Sequence, residues 1–255
     1  MKRYILSLAY NGKNYHGWQR QPNGITIQEV LEDCLSKLLD TPITLTGAGR
    51  TDAGVHAATF YAHFDSEYIF QNKEKKDGFV FKLNRFLPKD IVVYDIMIGL
   101  DCFHSRFSAI SRTYKYYISL SRDPFANDFT FEMYGTLDII NMNIACAVLM
   151  QYTDFSCFSK SNTQTKTNNC RIDKARWYYE ETKLVFEITA DRFLRNMVRA
   201  IVGTLIQVGN GKLQPHDLHE IIKSGDRGNA GTSVPGKGLF LEQIEYPKSL
   251  IQKIL

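Results

Sequence analysis

Gly47-Ala48-Gly49-Arg50-Thr51-Asp52-Ala53-Gly54-Val55-His56-Ala57 is the stretch on which the reading of this chain turns. Its glycines and alanines permit tight turns and a close approach of backbone to a ligand. They leave the side chains of Arg50 and Asp52 standing in open space. The stretch lacks the Gly-Lys-Ser/Thr ending of a phosphate-binding loop and the G-x-G-x-x-G spacing of a dinucleotide fold, and an Asp in a phosphate cradle would repel its ligand. An Asp in such a turn is a turn-former, a metal ligand or a nucleophile, and local chemistry leaves those three open. A hard cation wants several oxygen ligands, and only Asp52 and the more distant Asp65 offer them. His56 and His63 lie seven apart in no metal-ligand pattern and read as hydrogen-bonded or surface histidines. No metal is expected.

Upstream, residues 3–10 read as a strand closed by a turn at Asn11-Gly12. The next stretch, Tyr15-His16-Gly17-Trp18-Gln19-Arg20-Gln21, is richer in aromatic, amide and basic groups than a plain linker. Thr26-Ile27-Gln28-Glu29 fits a capping box, and Ile27, Val30, Leu31, Cys34, Leu35 and Leu38 then recur at helical spacing. Strands are expected at 43–45 and 59–64, on either side of the small-residue stretch. Residues 65–78 read as a polar surface loop or helix end. A helix over 79–86 is stopped by Leu87-Pro88, and a strand follows at 91–96.

Downstream, Arg112-Thr113-Tyr114-Lys115-Tyr116-Tyr117-Ile118 alternates as a strand with Tyr114, Tyr116 and Ile118 on one face. A helix is expected at 138–150, with Ile144, Ala145, Val148 and Leu149 on its apolar stripe. Strands follow at 172–180 and 183–190, and a strongly patterned helix over 193–208. A short helix near 218–222 and a strand near 239–246 close the chain. The order predicts an α+β protein of two mixed halves, 1–104 and 105–255, with no flexible linker between them.

Composition narrows the function. Hydrophobic residues at 44% and charged residues at 23% exclude wholesale disorder. The 31 Lys+Arg against 27 Asp+Glu give a net +4, which permits a polyanionic partner without demanding one. No uncharged apolar run reaches the roughly 18 residues of a membrane-spanning helix. Basic Met1-Lys2-Arg3 precedes an apolar run, but that run ends at Asn11-Gly12 without a small-residue cleavage site, so a cytoplasmic protein is expected. Five cysteines, an odd number with no CxxC pair, suggest neither disulfides nor zinc.

The eleven residues 47–57 closely resemble the signature of the TruA family of tRNA pseudouridine synthases. The resemblance extends along the chain in the family's order. Its other blocks are Tyr15-His16-Gly17-Trp18-Gln19-Arg20-Gln21, Phe103-His104-Ser105-Arg106-Phe107-Ser108-Ala109, Arg112-Thr113-Tyr114-Lys115-Tyr116, Asn196-Met197-Val198-Arg199-Ala200-Ile201-Val202-Gly203 and Gly238-Leu239-Phe240-Leu241. The resemblance implies two related mixed α/β halves, each with an antiparallel sheet and packed helices, around a central basic cleft. It implies a homodimer, no membrane, and no cofactor or metal. The implied reaction converts uridine to pseudouridine at positions 38, 39 and 40 of the anticodon arm of tRNA: the C1′–N1 bond breaks, the uracil turns over, and C1′ rejoins at C5.

By the same resemblance Asp52 is the catalytic aspartate, Arg199 the cation that keeps it ionised, and Tyr114 the active-site tyrosine that stacks on the uracil. Arg50 is the arginine that takes the place of the extruded base. The chemistry agrees: a carboxylate beside the sugar can attack C1′ or remove the C2′ proton, and a buried one takes up a proton unless a cation is near. Arg195 lies four residues before Arg199. RNA contacts are expected from Phe103, His104, Ser105, Arg106 and Phe107, from Lys160 and Lys166, and from Leu241. Residues 159–200 hold nine Lys+Arg against five Asp+Glu, which suits phosphate binding. The segment 230–237 departs from the family's small-residue block, which bears on which uridines are used rather than on the reaction.

Two other readings compete. A tRNA-binding protein of the same fold without catalysis has no need of a carboxylate facing RNA phosphates. A small-glycoside hydrolase needs a second carboxylate about 5 Å from the first, and no residue is tied to Asp52 in that way.

Overall fold

The computed structural model describes residues 1–160 and 167–255. The chain forms two compact units, Met1–Ile110 with Leu241–Leu255, and Ser111–Phe240. The expected halves, 1–104 and 105–255, differ from these at both ends. Residues 105–110 stay with the first unit, and the C-terminal tail returns to it because its strands pair there.

In the first unit β1 (Lys2–Tyr10) is central, antiparallel to β3 (His56–Ser66) on one side and β4 (Ile91–Gly99) on the other. Tyr4, Ile5 and Leu6 are all buried, as a strand inside a sheet with covered faces requires. A short strand β2 (Thr46–Gly47) pairs with β3. The sheet is extended beside β3 by β9 (Leu239–Glu245), which enters this unit at Leu241, and beyond β4 by β10 (Ile251–Lys253), which the sequence reading did not foresee. Helix α1 (Ile27–Leu39) begins where expected, with Thr26 Oγ1 accepting from the Glu29 N–H at 3.3 Å.

Two local expectations fail here. No strand forms at 43–45, because α1 side chains take its backbone donors: the Ile43 N–H goes to Ser36 Oγ and the Leu45 N–H to Glu32 Oε1, both at 2.8 Å. Helix α2 (Lys73–Phe86) begins six residues before 79. Asn72 caps it, accepting from the Lys75 N–H at 3.0 Å, and Lys76 is buried against Asp95 and Asp77.

In the second unit β5 (Ser111–Ser119), β8 (Lys183–Ala190) and β7 (Ile172–Glu180) pair antiparallel in that order, and β6 (Phe131–Glu132) runs parallel to β5. Helix α3 (Ile139–Leu149) packs on β7 and on α4 (Met197–Gly209); α5 (Asp217–Ser224) is short and amphipathic. The buried stripe of α3 is Met142, Ala145, Cys146, Val148 and Leu149, whereas Ile144 is half exposed. Apart from Arg199 and Gln207, every residue of α4 is buried. This helix starts at Met197 rather than 193, because Asn196 takes a left-handed φ of 67° that no helix interior accommodates. The fold is thus mixed α and β with mostly antiparallel pairing. Among the described residues no helix is long and apolar enough to cross a membrane.

Candidate functional site

Asp52 sits on the turn between β2 and β3, half-buried, with exposed Arg50 two residues before it. The turn is held from behind by backbone. The Trp18 N–H donates to Thr51 O, the Gly54 N–H to Tyr15 O and the Val55 N–H to Asp52 O, at 3.2–3.3 Å. Beneath it, the Tyr10 and Thr51 hydroxyls bond at 2.9 Å, fully buried, and His56 Nδ1 accepts from the Gly12 N–H at 3.1 Å. Glycines make the approach possible. A Cβ on Gly12 would lie 2.0 Å from Val55 O, and one on Gly17, whose φ is +87°, would lie 2.2 Å from Thr51 O. The aromatic block around Trp18 therefore serves as the bed on which the Asp52 turn is pressed.

Residues 103–108 form a second feature of the same unit. Phe103 and Ser105 are 0% exposed, and their side chains anchor the segment. Phe103 packs its ring against Tyr246 and His63. His63 Nδ1 meets Ser105 Oγ at 2.9 Å and accepts the Ser105 N–H at 3.2 Å. Arg3 donates to Asp101 O and Phe103 O and is forked onto Asp65. Burial first, then the positive charge of Arg3 and the neighbouring His104, lowers the His63 pKa to about 4. Above this base the segment folds on itself: His104 Nδ1 accepts from the Arg106 N–H, and the His104 N–H donates to Ser108 Oγ. The exposed tip carries Arg106 over the Phe107 ring at 5.5 Å, with the His104 ring 4.4 Å from that of Phe107, which is 75% exposed. A guanidinium on an aromatic face beside an imidazole is a surface on which bases stack.

In the second unit Tyr114 is half-buried on β5, its ring edge-on to Phe193 at 5.1 Å. Arg199 lies in the first turn of α4, half-buried, its Nε donating to Val234 O at 2.7 Å. Its charge opposes the upward push that burial gives the Tyr116 phenol. Tyr116 is fully buried and donates to Pro235 O at 2.9 Å, so it belongs to the core rather than to a surface. Arg195 is exposed and precedes the helix rather than lying on it. Lys160 is exposed, and its N–H donates to Arg195 O. Lys166 lies outside the described residues. Leu241, at 2% exposure, is packed in the core. Among the described residues no three His, Cys, Asp or Glu side chains gather as a metal site. The sequence reading missed the role of 230–235, which clasps Arg199. The signal available was the small-residue run Ala230-Gly231-Thr232-Ser233, which the fold sets against Gly203 of α4.

The profile of a family described as tRNA pseudouridine synthase matches residues 147–247. A tRNA pseudouridine synthase A of Parabacteroides distasonis is 52% identical over 253 residues, covering 98% of this chain and 98% of that protein. The protein of the same name from Bacteroides thetaiotaomicron is 49% identical, covering 99% and 94%. A tRNA pseudouridine synthase A 2 from Clostridium perfringens is 37% identical, covering 96% of this chain and all of that protein.

Proposed function

The chain belongs to the TruA family of tRNA pseudouridine synthases, and from that premise we propose that it isomerises uridine to pseudouridine at positions 38, 39 and 40 of the anticodon arm of tRNA, with Asp52 as nucleophile. The observation that carries the proposal is the Asp52 turn. Its carboxylate stands half-buried on a rigid, glycine-backed support, within a likeness that runs the length of the chain.

The residues take the following parts. Breaking the C1′–N1 bond builds positive charge at C1′. Asp52 attacks that carbon, or removes the C2′ proton to give a glycal, and in either case must be ionised. Arg199 supplies the positive charge that keeps it so. Tyr114 stacks on the freed uracil while it turns, and its hydroxyl assists loss of the C5 proton once C5 has bonded to C1′. Arg50 fills the gap left by the extruded base, offsetting part of the few kcal/mol of lost stacking and pairing. His104, Arg106, Phe107, Lys160 and Lys166 hold the stem-loop by stacking and phosphate contacts, which supply affinity while the shape of the arm selects the site. The protein works as a homodimer in the cytoplasm. The non-catalytic tRNA binder of the same fold is the second reading.

The test is to incubate unmodified tRNA with the protein, derivatise pseudouridine with a carbodiimide and map reverse-transcription stops. Stops at 38, 39 or 40 in tRNAs carrying uridine there are expected. Stops elsewhere contradict the position, and no stops with measurable tRNA binding leave the non-catalytic binder.

A further inference from the structure

The segment 230–235 has no helix or strand of its own, apart from the end of a short 3-10 turn at 227–229, yet it is held at every step. The Val234 N–H donates to Arg199 O at 3.2 Å while Val234 O accepts from Arg199 Nε at 2.7 Å, so residue 234 clasps residue 199 by both its main-chain groups. One turn further along α4, Thr204 Oγ1 accepts the Gly231 N–H at 2.8 Å and donates to Ala200 O at 2.9 Å. Here the two backbones touch: a Cβ on Gly203 would lie 1.9 Å from Thr232 O, and one on Gly231 2.7 Å from the Thr204 nitrogen. Between these two attachments lies Ser233. Its Oγ accepts from Asn196 Nδ2 at 2.7 Å and from Arg227 Nη2 at 2.8 Å.

We propose that Ser233, bridged to Asn196 and Arg227, is a positioning residue that fixes the guanidinium plane of Arg199 by holding Val234 O in place. The inference rests on the role read for Arg199, keeping the nucleophilic carboxylate ionised. A guanidinium is a planar fork on a flexible stem, and its value lies in presenting the fork in one orientation. With Nε tied to Val234 O, the plane turns with that oxygen. The oxygen belongs to a coil segment: the Val234 N–H ties it to Arg199 O on one side, and on the other Ser233 is the adjacent residue on which two donors converge. A displacement of order 1 Å is enough to spoil catalytic geometry without changing what binds.

The experiment measures kcat and KM for tRNA by release of tritium from 5-tritiated uridine. Ser233→Ala is expected to lower kcat about tenfold with KM unchanged. Ser233→Thr, which keeps the hydroxyl, restores kcat to within about twofold. Asn196→Gly, which suits the φ of 67° and removes one of the two donors to Ser233, lowers kcat in the same direction by a smaller factor and serves should Ser233→Ala misfold. In an Arg199→Lys background, which has no Nε, Ser233→Ala costs nothing more. Wild-type kcat in both Ser233→Ala and Asn196→Gly overturns the proposal, as does an equal loss in the lysine background or a change confined to KM. A wild-type enzyme that releases no tritium overturns the reading of the reaction itself, and the positioning role with it.

Discussion

At the scale of single residues, charge and proton placement divide the work. Arg50 stands exposed beside the half-buried Asp52, free of any packing duty in the core. Its proposed task is to lower the cost of extrusion, and that cost is largest for a paired uridine. Arg50→Ala is therefore expected to slow modification of a uridine in the paired stem by roughly tenfold more than that of an unpaired one. Parallel rates on stem-loops with and without the opposing base check this; equal losses on both contradict it. His63 is a core residue of a different kind. Two Ser105 groups converge on Nδ1, and the backbone N–H fixes that nitrogen as an acceptor, so the folded protein keeps the ring neutral. Its folded pKa of about 4 lies below the unfolded value, so between about pH 4 and 6.5 the unfolded chain binds the extra proton. Stability from this group is complete above about pH 6.5 and falls as the pH drops toward 4, by about 1.4 kcal/mol for each unit of separation. Arg3 and His104 face the ring and disfavour its proton, while Asp65 favours it. Melting temperatures across this range are expected to fall, and the slope to flatten in His63→Asn, whose amide oxygen can still accept from Ser105. An unchanged slope would place the acid sensitivity elsewhere.

At the scale of elements, the Asp52 turn depends on a backbone that comes from elsewhere in the sequence. Gly17→Ala must both strain a φ of +87° and push a methyl into Thr51 O. A loss of about 2 kcal/mol or more is expected, together with a fall in kcat, since the displaced atom belongs to the residue before Asp52. Denaturation and single-turnover rates on one preparation check both; an unaffected rate would mean that the turn can move without moving the carboxylate. This region also shows what could be read from the residues alone. Strands at 172–180 and 183–190 were legible in full because β-branched and aromatic residues are concentrated in both. The small-residue stretch was legible as a support for Arg50 and Asp52 because glycines advertise close approach. Residues 43–45 were misread because β-formers there give their N–H groups to Ser36 and Glu32, partners that no local pattern announces. The first turns of α2 were hidden by charged residues that look like loop until Asn72 is seen to cap them. Phe103 and Ser105 share a motif with exposed Arg106 and Phe107, and Leu241 ends one whose other members are buried or half-buried; burial within a motif is decided by tertiary packing.

At the scale of the whole molecule, a net charge of +4 is small for a partner as acidic as tRNA, so the basic groups must act locally. Affinity from phosphate contacts falls log-linearly with salt. KM for tRNA is thus expected to rise steeply between 50 and 200 mM salt, roughly tenfold or more, while kcat stays within about twofold. Steady-state kinetics over that range check this, and a salt-independent KM would contradict phosphate-led binding. Sedimentation is expected to give twice the 29.3 kDa of one chain, and a single-chain mass would contradict the homodimer. Above all, this chain is expected to make pseudouridine through Asp52. Forming the C1′–C5 bond expels the C5 hydrogen, so tritium release from tRNA carrying 5-tritiated uridine reports the reaction directly. Wild-type protein is expected to release tritium, and folded Asp52→Asn to be slower by at least about 1000-fold. Release by the variant at the wild-type rate would contradict the role of Asp52, and no release by the wild type from any tRNA with uridine at 38, 39 or 40 would contradict the reaction.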